Sequence, residues 1–137
     1  MADHKPYLIV NIILAGIIGI ILIYSGLFSA QKGNHPLPSI YEIITKQPAP
    51  SSGMSRAFSE IIRGNLDSAR EYNPDSPLVF AFFLIQGLQR ISVSSLLLKS
   101  RLKKKHLLIA DVFITATLFL YCFQGQIRAM IRLLHES

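Results

Sequence analysis

Two residues of opposite charge, Arg90 and Asp111, lie inside otherwise apolar stretches of the sequence. An unpaired charge in hydrocarbon costs at least about 2.5–3.5 kcal/mol on insertion scales, so each requires a partner. In a regular helix Arg90 falls about 20 Å from the start of its block at Pro77 and about 14 Å from Lys99, while Asp111 lies four residues into the next block. The short connection between the two blocks makes a hairpin that brings them to similar depths, and they are expected to pair or to share a polar network. Two chemistries are open to such a pair. One is an ion or proton path; the other is an ion pair that pins helices together, or an arginine that snorkels toward the near surface. Without a further carboxylate or histidine inside the apolar stretches, the pinning role is favoured. Gln86, Gln89, Ser92, Ser94 and Ser95 share the block with Arg90 and mark a helix that contacts protein more than lipid.

Other reactive groupings are sparse. His4, His35, His106 and His135 lie near the termini or the ends of apolar blocks, and none stands at a recognised spacing from a Ser or Cys nucleophile and a carboxylate. Cys122, the single cysteine, cannot form an internal disulfide, and no His or Cys cluster has the spacing of a metal site. Ser51-Ser52-Gly53 before a helix start could cradle an anion on backbone N–H groups, but so short a match reads first as an N-cap. The basic run from Lys99 to Lys105 contains no aromatic residue on which a base could stack, which argues against single-stranded nucleic acid as a partner. Neither a catalytic residue nor a cofactor or metal is therefore expected.

The elements that must position Arg90 and Asp111 follow from composition. Of 137 residues, 50% are hydrophobic and 16% charged, and the mean hydropathy is +0.40. That is too apolar for a water-soluble enzyme. The apolar residues gather in three blocks, Tyr7–Phe28, Pro77–Leu98 and Leu107–Phe123. A hydrocarbon core of roughly 30 Å takes about 20 helical residues to cross, which the first two blocks supply. The third, slightly short, is completed by Gln124 and by an amphipathic continuation, Ile127-Arg128-Ala129-Met130-Ile131, giving spans at about 7–28, 77–98 and 107–124. The fold expected is an all-α integral membrane protein, one membrane domain over residues 1–137. The first block is too long for the apolar region of a signal peptide, about 7–15 residues, and reads as a retained anchor. Ala15 and Gly19 within it have the small-xxx-small spacing that lets another helix approach closely.

Residues 31–76 form the polar part, divided by Pro36, Pro38, Pro48, Pro50 and Pro74. Ser39 and Glu42 have capping-box spacing ahead of Ile43 and Ile44. A second short helix, Met54–Arg63, gathers Met54, Phe58, Ile61 and Ile62 on one face and stops at Gly64. A third starts at Asn65 and ends at Tyr72, before Asn73-Pro74. The region is thus expected to be an ordered helical cap, lying on the bilayer or across the ends of the spans. Lys99, Arg101, Lys103, Lys104 and Lys105 sit densely between the second and third spans, a signal for a cytoplasmic loop touching anionic lipid. The N-terminus and the loop 99–106 are then cytoplasmic and the cap 31–76 extracytoplasmic.

The cap carries a resemblance. Ala49-Pro50-Ser51-Ser52-Gly53-Met54-Ser55-Arg56-Ala57, then Arg63-Gly64-Asn65, Ala69 and Tyr72-Asn73-Pro74 ahead of an apolar block, resembles the pattern of a bacterial membrane family known as domain of unknown function 2752: Cys-Pro-x-Cys-Gly-apolar-Thr-Arg-Ala, then Gly-Asp, an Ala-containing turn and Asn-Pro before a membrane helix. The likeness covers about a third of the chain. Ala49 and Ser52 stand where that pattern has its two cysteines, and Ser55 replaces its Thr. Thiolates are the ligands and nucleophiles of a paired-cysteine loop, and neither Ala nor Ser takes that role. Pro50, Gly53, Ser55, Arg56, Asn73 and Pro74 thus resemble the scaffold of the loop without its reactive groups. The resemblance implies a bacterial inner-membrane protein of a family with no assigned reaction. Arg56 is its polar residue carried over intact, suited to backbone carbonyls, an acidic partner or a lipid phosphate.

Three spans are too few to enclose a pathway alone. The function expected is a non-catalytic accessory or structural subunit of a larger membrane complex, with membrane lipids and other integral membrane proteins as partners and no nucleic acid. The alternatives are a homo-oligomeric ion pathway through Arg90 and Asp111, or a small membrane enzyme with a site around Ser52, Ser55 and Arg56.

Overall fold

A computed structural model describes residues 5–28, 51–99 and 104–135. Six α-helices and no strand occur among them: α1 Lys5–Leu27, α2 Met54–Ile62, α3 Leu66–Tyr72, α4 Ser76–Lys99, α5 Lys104–Cys122 and α6 Gln124–His135. Three of these, Lys5–Leu27, Ser76–Lys99 and the Lys105–Cys122 part of α5, are long and apolar enough to cross a membrane. The third long helix ends at Cys122, and the stretch read as its continuation is a separate helix. The capping-box segment at Ser39–Glu42, together with Pro36, Pro38, Pro48 and Pro50, lies outside the described residues.

α4 is the centre of the bundle, with α1 and α5 packed against it. Its buried residues Val79, Gln86, Arg90, Val93 and Leu97 recur at intervals of three, four and seven, the period that lines one side of a helix. α1 answers with Asn11, Ile18 and Ser25, seven apart. The closest approach is set by Gly87, where an added Cβ would stand 3.4 Å from Ile18 Cγ2. Ala15 and Gly19 are half-buried, and at Gly19 and its neighbour Gly16 an added Cβ would meet nothing within 4 Å among the described residues. The apolar side chains of α1 largely face outward, with Ile20 68% and Ile23 63% exposed.

At one end of the bundle the cap helices close over the start of α4. Phe58 of α2 meets Phe80 and Phe83 of α4 edge-on, with ring centroids 5.1 and 5.7 Å apart, and Val79 completes this core. α2 buries Ala57, Phe58 and Ser59, and Met54 and Ile61 pack against the same core, so the expected face meets the bundle except at Ile62, which is exposed. The small Ala57 and Ser59 let α2 lie close to its neighbours. Arg63 donates to the Phe28 carbonyl at 3.2 Å, tying α2 to the end of α1. Phe123, between α5 and α6, stacks on Phe119 and meets Phe82 edge-on at the same end.

Candidate functional site

The distinctive polar site lies between the three long helices, toward the end that holds Lys5, Lys99 and Lys105. Arg90 and Asp111 pair there: NH1 donates to Asp111 Oδ2 at 2.8 Å and NH2 to Oδ1 at 3.1 Å, with both residues buried. Two parallel N–H···O contacts fix the carboxylate in the plane of the guanidinium, which adds orientation to attraction. The rest of the shell is also ordered. Arg90 NH1 donates to Asn11 Oδ1 at 2.8 Å, and NH2 to Thr115 Oγ1 at 2.6 Å and Gln86 Oε1 at 3.2 Å. Gln89 Nε2 donates to Asp111 Oδ1 at 2.5 Å, and the Tyr7 hydroxyl donates to Asp111 Oδ2. Gln86 Nε2 in turn donates to Gln89 Oε1 at 3.0 Å.

The node is thus assembled from Tyr7 and Asn11 on α1, Gln86, Gln89 and Arg90 on α4, and Asp111 and Thr115 on α5. Tyr7 and Asn11, Gln86 and Arg90, and Asp111 and Thr115 each stand four residues apart, so each helix presents its pair on one side, with Gln89 beside Arg90. The formal charge of the pair sums to zero, and the low dielectric strengthens every contact inside. Asn11 Nδ2 and Arg90 Nε are buried donors with no acceptor among the described residues. A cleft of about 380 Å³ opens onto the node, lined by its Asn11, Arg90 and Asp111 and by the apolar Leu14, Val112 and Phe119. Most of its wall is apolar, with the polar groups gathered at the node.

The motif residues of the cap meet in a second site. Gly53 precedes α2 with φ +77°, and a Cβ there would run into the Tyr72 carbonyl. Only glycine combines that left-handed backbone with so close an approach. Asn73 Nδ2 donates to the Ser52 carbonyl at 3.0 Å, its Oδ1 accepts from the Asp75 N–H at 3.1 Å, and Ser76 Oγ donates to the Ala69 carbonyl at 3.2 Å. Pro74 follows in the turn that starts α4. Arg56 lies over the Tyr72 ring, 5.6 Å from its centroid, and Ser59 Oγ donates to the Ser55 carbonyl at 3.2 Å. Gly53 is the N-cap residue of α2, as expected of its stretch, whereas Asn65, at the start of α3, makes no side-chain cap and instead donates to Glu60 at 2.8 Å. Backbone carbonyls from the preceding turn, such as Ser51 to Met54 N–H at 3.2 Å, do the capping.

Of the basic run, Lys99 ends α4 and Lys105 stands in the first turn of α5, both exposed; Lys104 opens α5, and Arg101 and Lys103 fall outside the described residues. Three members of the node escaped sequence reasoning. Tyr7, Asn11 and Thr115 are common in membrane helices, and only the four-residue step from Asp111 to Thr115, or a lone Asn in an apolar block, pointed toward them. Compared with known protein families, characterised proteins and solved structures, the chain matches none.

Proposed function

We propose that this chain is a small integral membrane protein, a non-catalytic accessory or structural subunit of a larger membrane complex. The observation that carries the reading is how fully the Asp111 carboxylate and the two terminal nitrogens of Arg90 are engaged. Asp111 is engaged by Arg90, Gln89 and Tyr7, and both terminal nitrogens of Arg90 are engaged inside the chain. Groups so committed bind helices to one another; a reactive carboxylate or a translocation site needs a free position for what it handles. The outward surfaces support the same reading, since only 11% of the most apolar window of α1 and of α5 is buried. Lipid and partner helices are the surroundings such surfaces fit. The cap motif suits a variant of the domain of unknown function 2752 family, with α1 starting on the cytoplasmic side of a bacterial inner membrane and residues 51–76 outside.

The test is the native mass and subunit content of the tagged protein extracted in a mild detergent. A stoichiometric second protein is the expected result. A monomer or homo-oligomer alone would overturn the subunit reading and move Arg90 and Asp111 forward as a homo-oligomeric pathway, Arg56 as an intrinsic site.

A further inference from the structure

α6 has three sides. At 100° per residue, Gln126, Ala129 and Leu133 share one side, Ile127, Met130, Ile131 and Leu134 a second, and Arg128, Arg132 and His135 a third. The first is half-buried, and its start is anchored: Gln126 Nε2 donates to Asp75 Oδ2 at 3.1 Å, and the Asp75 carboxylate occupies the space where a Cβ on Gly125 would stand. The second is exposed, with Met130 at 61% and Ile131 at 54%. The third is exposed and basic. Asp75 immediately precedes α4, so the anchor sets the start of α6 level with the start of that long helix. The last turn of α5, one residue before α6, also turns apolar side chains outward, with Leu120 and Tyr121 each 62% exposed. Tyrosine at the end of an apolar helix is the residue of a membrane–water boundary.

We infer that α6 is an interfacial helix, seating Met130, Ile131 and Leu134 in the outer edge of the hydrocarbon and holding Arg128 and Arg132 among the lipid phosphates. The inference rests on the membrane-spanning reading of α1, α4 and α5. Its occupant is the bilayer because the exposed apolar residues of α6 follow directly on the exposed Leu120 and Tyr121 that end α5. The basic side has the charge that phosphate headgroups attract, and a moderately apolar helix with a separate cationic side is the composition of a surface-lying segment. Asp75 then works as a hinge stop, turning the chain from a crossing direction to a surface direction.

The sequence contains no tryptophan, so a single one reports its own surroundings. Met130→Trp, Arg132→Trp and Ile17→Trp proteins would be reconstituted into phosphatidylcholine–phosphatidylglycerol vesicles carrying bromines either near the headgroup or near the chain ends. Trp at 130 should lose most of its emission to the shallow bromines and little to aqueous iodide, while Trp at 132 should be quenched by iodide. Iodide quenching at 130 as strong as at 132 overturns the inference, and so does protection at 130 from both quenchers, which would place a protein over α6. Ile17 lies in α1 and is half-exposed. If Trp there escapes lipid bromines, the spanning reading itself fails, and the inference with it; quenching at 17 with none at 130 removes the inference alone.

Discussion

The node and the cap hold the chain together by opposite means. In the node, side chains 79 and 104 residues distant in sequence converge, Asn11 on Arg90 and Tyr7 on Asp111. In the cap motif, the close contacts join segments 21 residues apart or fewer and use backbone carbonyls: Ser52 for Asn73, Ala69 for Ser76, Tyr72 against Gly53. One is an electrostatic joint whose parts fail together; the other is a backbone joint whose parts fail one by one. Removing one partner of a buried pair strands the other charge, whereas removing one hydrogen bond to a carbonyl forfeits a modest net stabilisation.

The comparison breaks most sharply at Asp111. Asp111→Ala should destabilise the helix bundle by about 3–5 kcal/mol, the usual penalty for an orphaned buried charge, read as a lower thermal midpoint in detergent. Arg90→Met combined with Asp111→Leu should recover much of that loss, because no charge is left unpaired. A double variant as unstable as the single one would show that packing, not charge, governs the site. In the cap the largest effect belongs to Gly53→Ala, which forces a side chain into the Tyr72 carbonyl at positive φ. A loss of roughly 1–3 kcal/mol is expected, visible as faster hydrogen exchange in α2 and α3. Gly64 has a similar φ of +85° but open space around it, so Gly64→Ala should cost less, about 1 kcal/mol. Equal effects would mean that backbone conformation alone matters at Gly53. Asn73→Ala should follow with about 1–2 kcal/mol, again localised to the cap by exchange. Arg56→Ala ranks last, near 0.5–1 kcal/mol for the contact with Tyr72, and should leave co-purification of partners intact; loss of a partner in that variant would recast Arg56 as an interface residue.

Composition alone made the three long helices legible, since apolar blocks of that length have few other uses. The Arg90–Asp111 contact was readable too, because a short hairpin places matching depths side by side. Asn11 and Tyr7 were not, for a definite reason. α1 is apolar nearly all round, so its pattern does not say which side meets α4, and that choice is made by the fit of Ile18 to Gly87. On α2 the face of Met54, Phe58 and Ile61 was legible as core, whereas the burial of Ala57 and Ser59 beside it was not, because small residues carry no apolar signal of a close approach. The break before α6 left no proline to mark it; Gly125 beneath the Asp75 carboxylate is the trace, legible only once the end of α5 is known to meet the start of α4.

The node also imposes an order on biosynthesis. Asn11 leaves the ribosome 79 residues before Arg90, and Arg90 leaves it 21 residues before Asp111. On the membrane-spanning reading, a chain inserted only as far as α4 would hold the arginine with an amide and its own helix for company, at about 2.5–3.5 kcal/mol for a charge in hydrocarbon, and its counter-charge would arrive with α5.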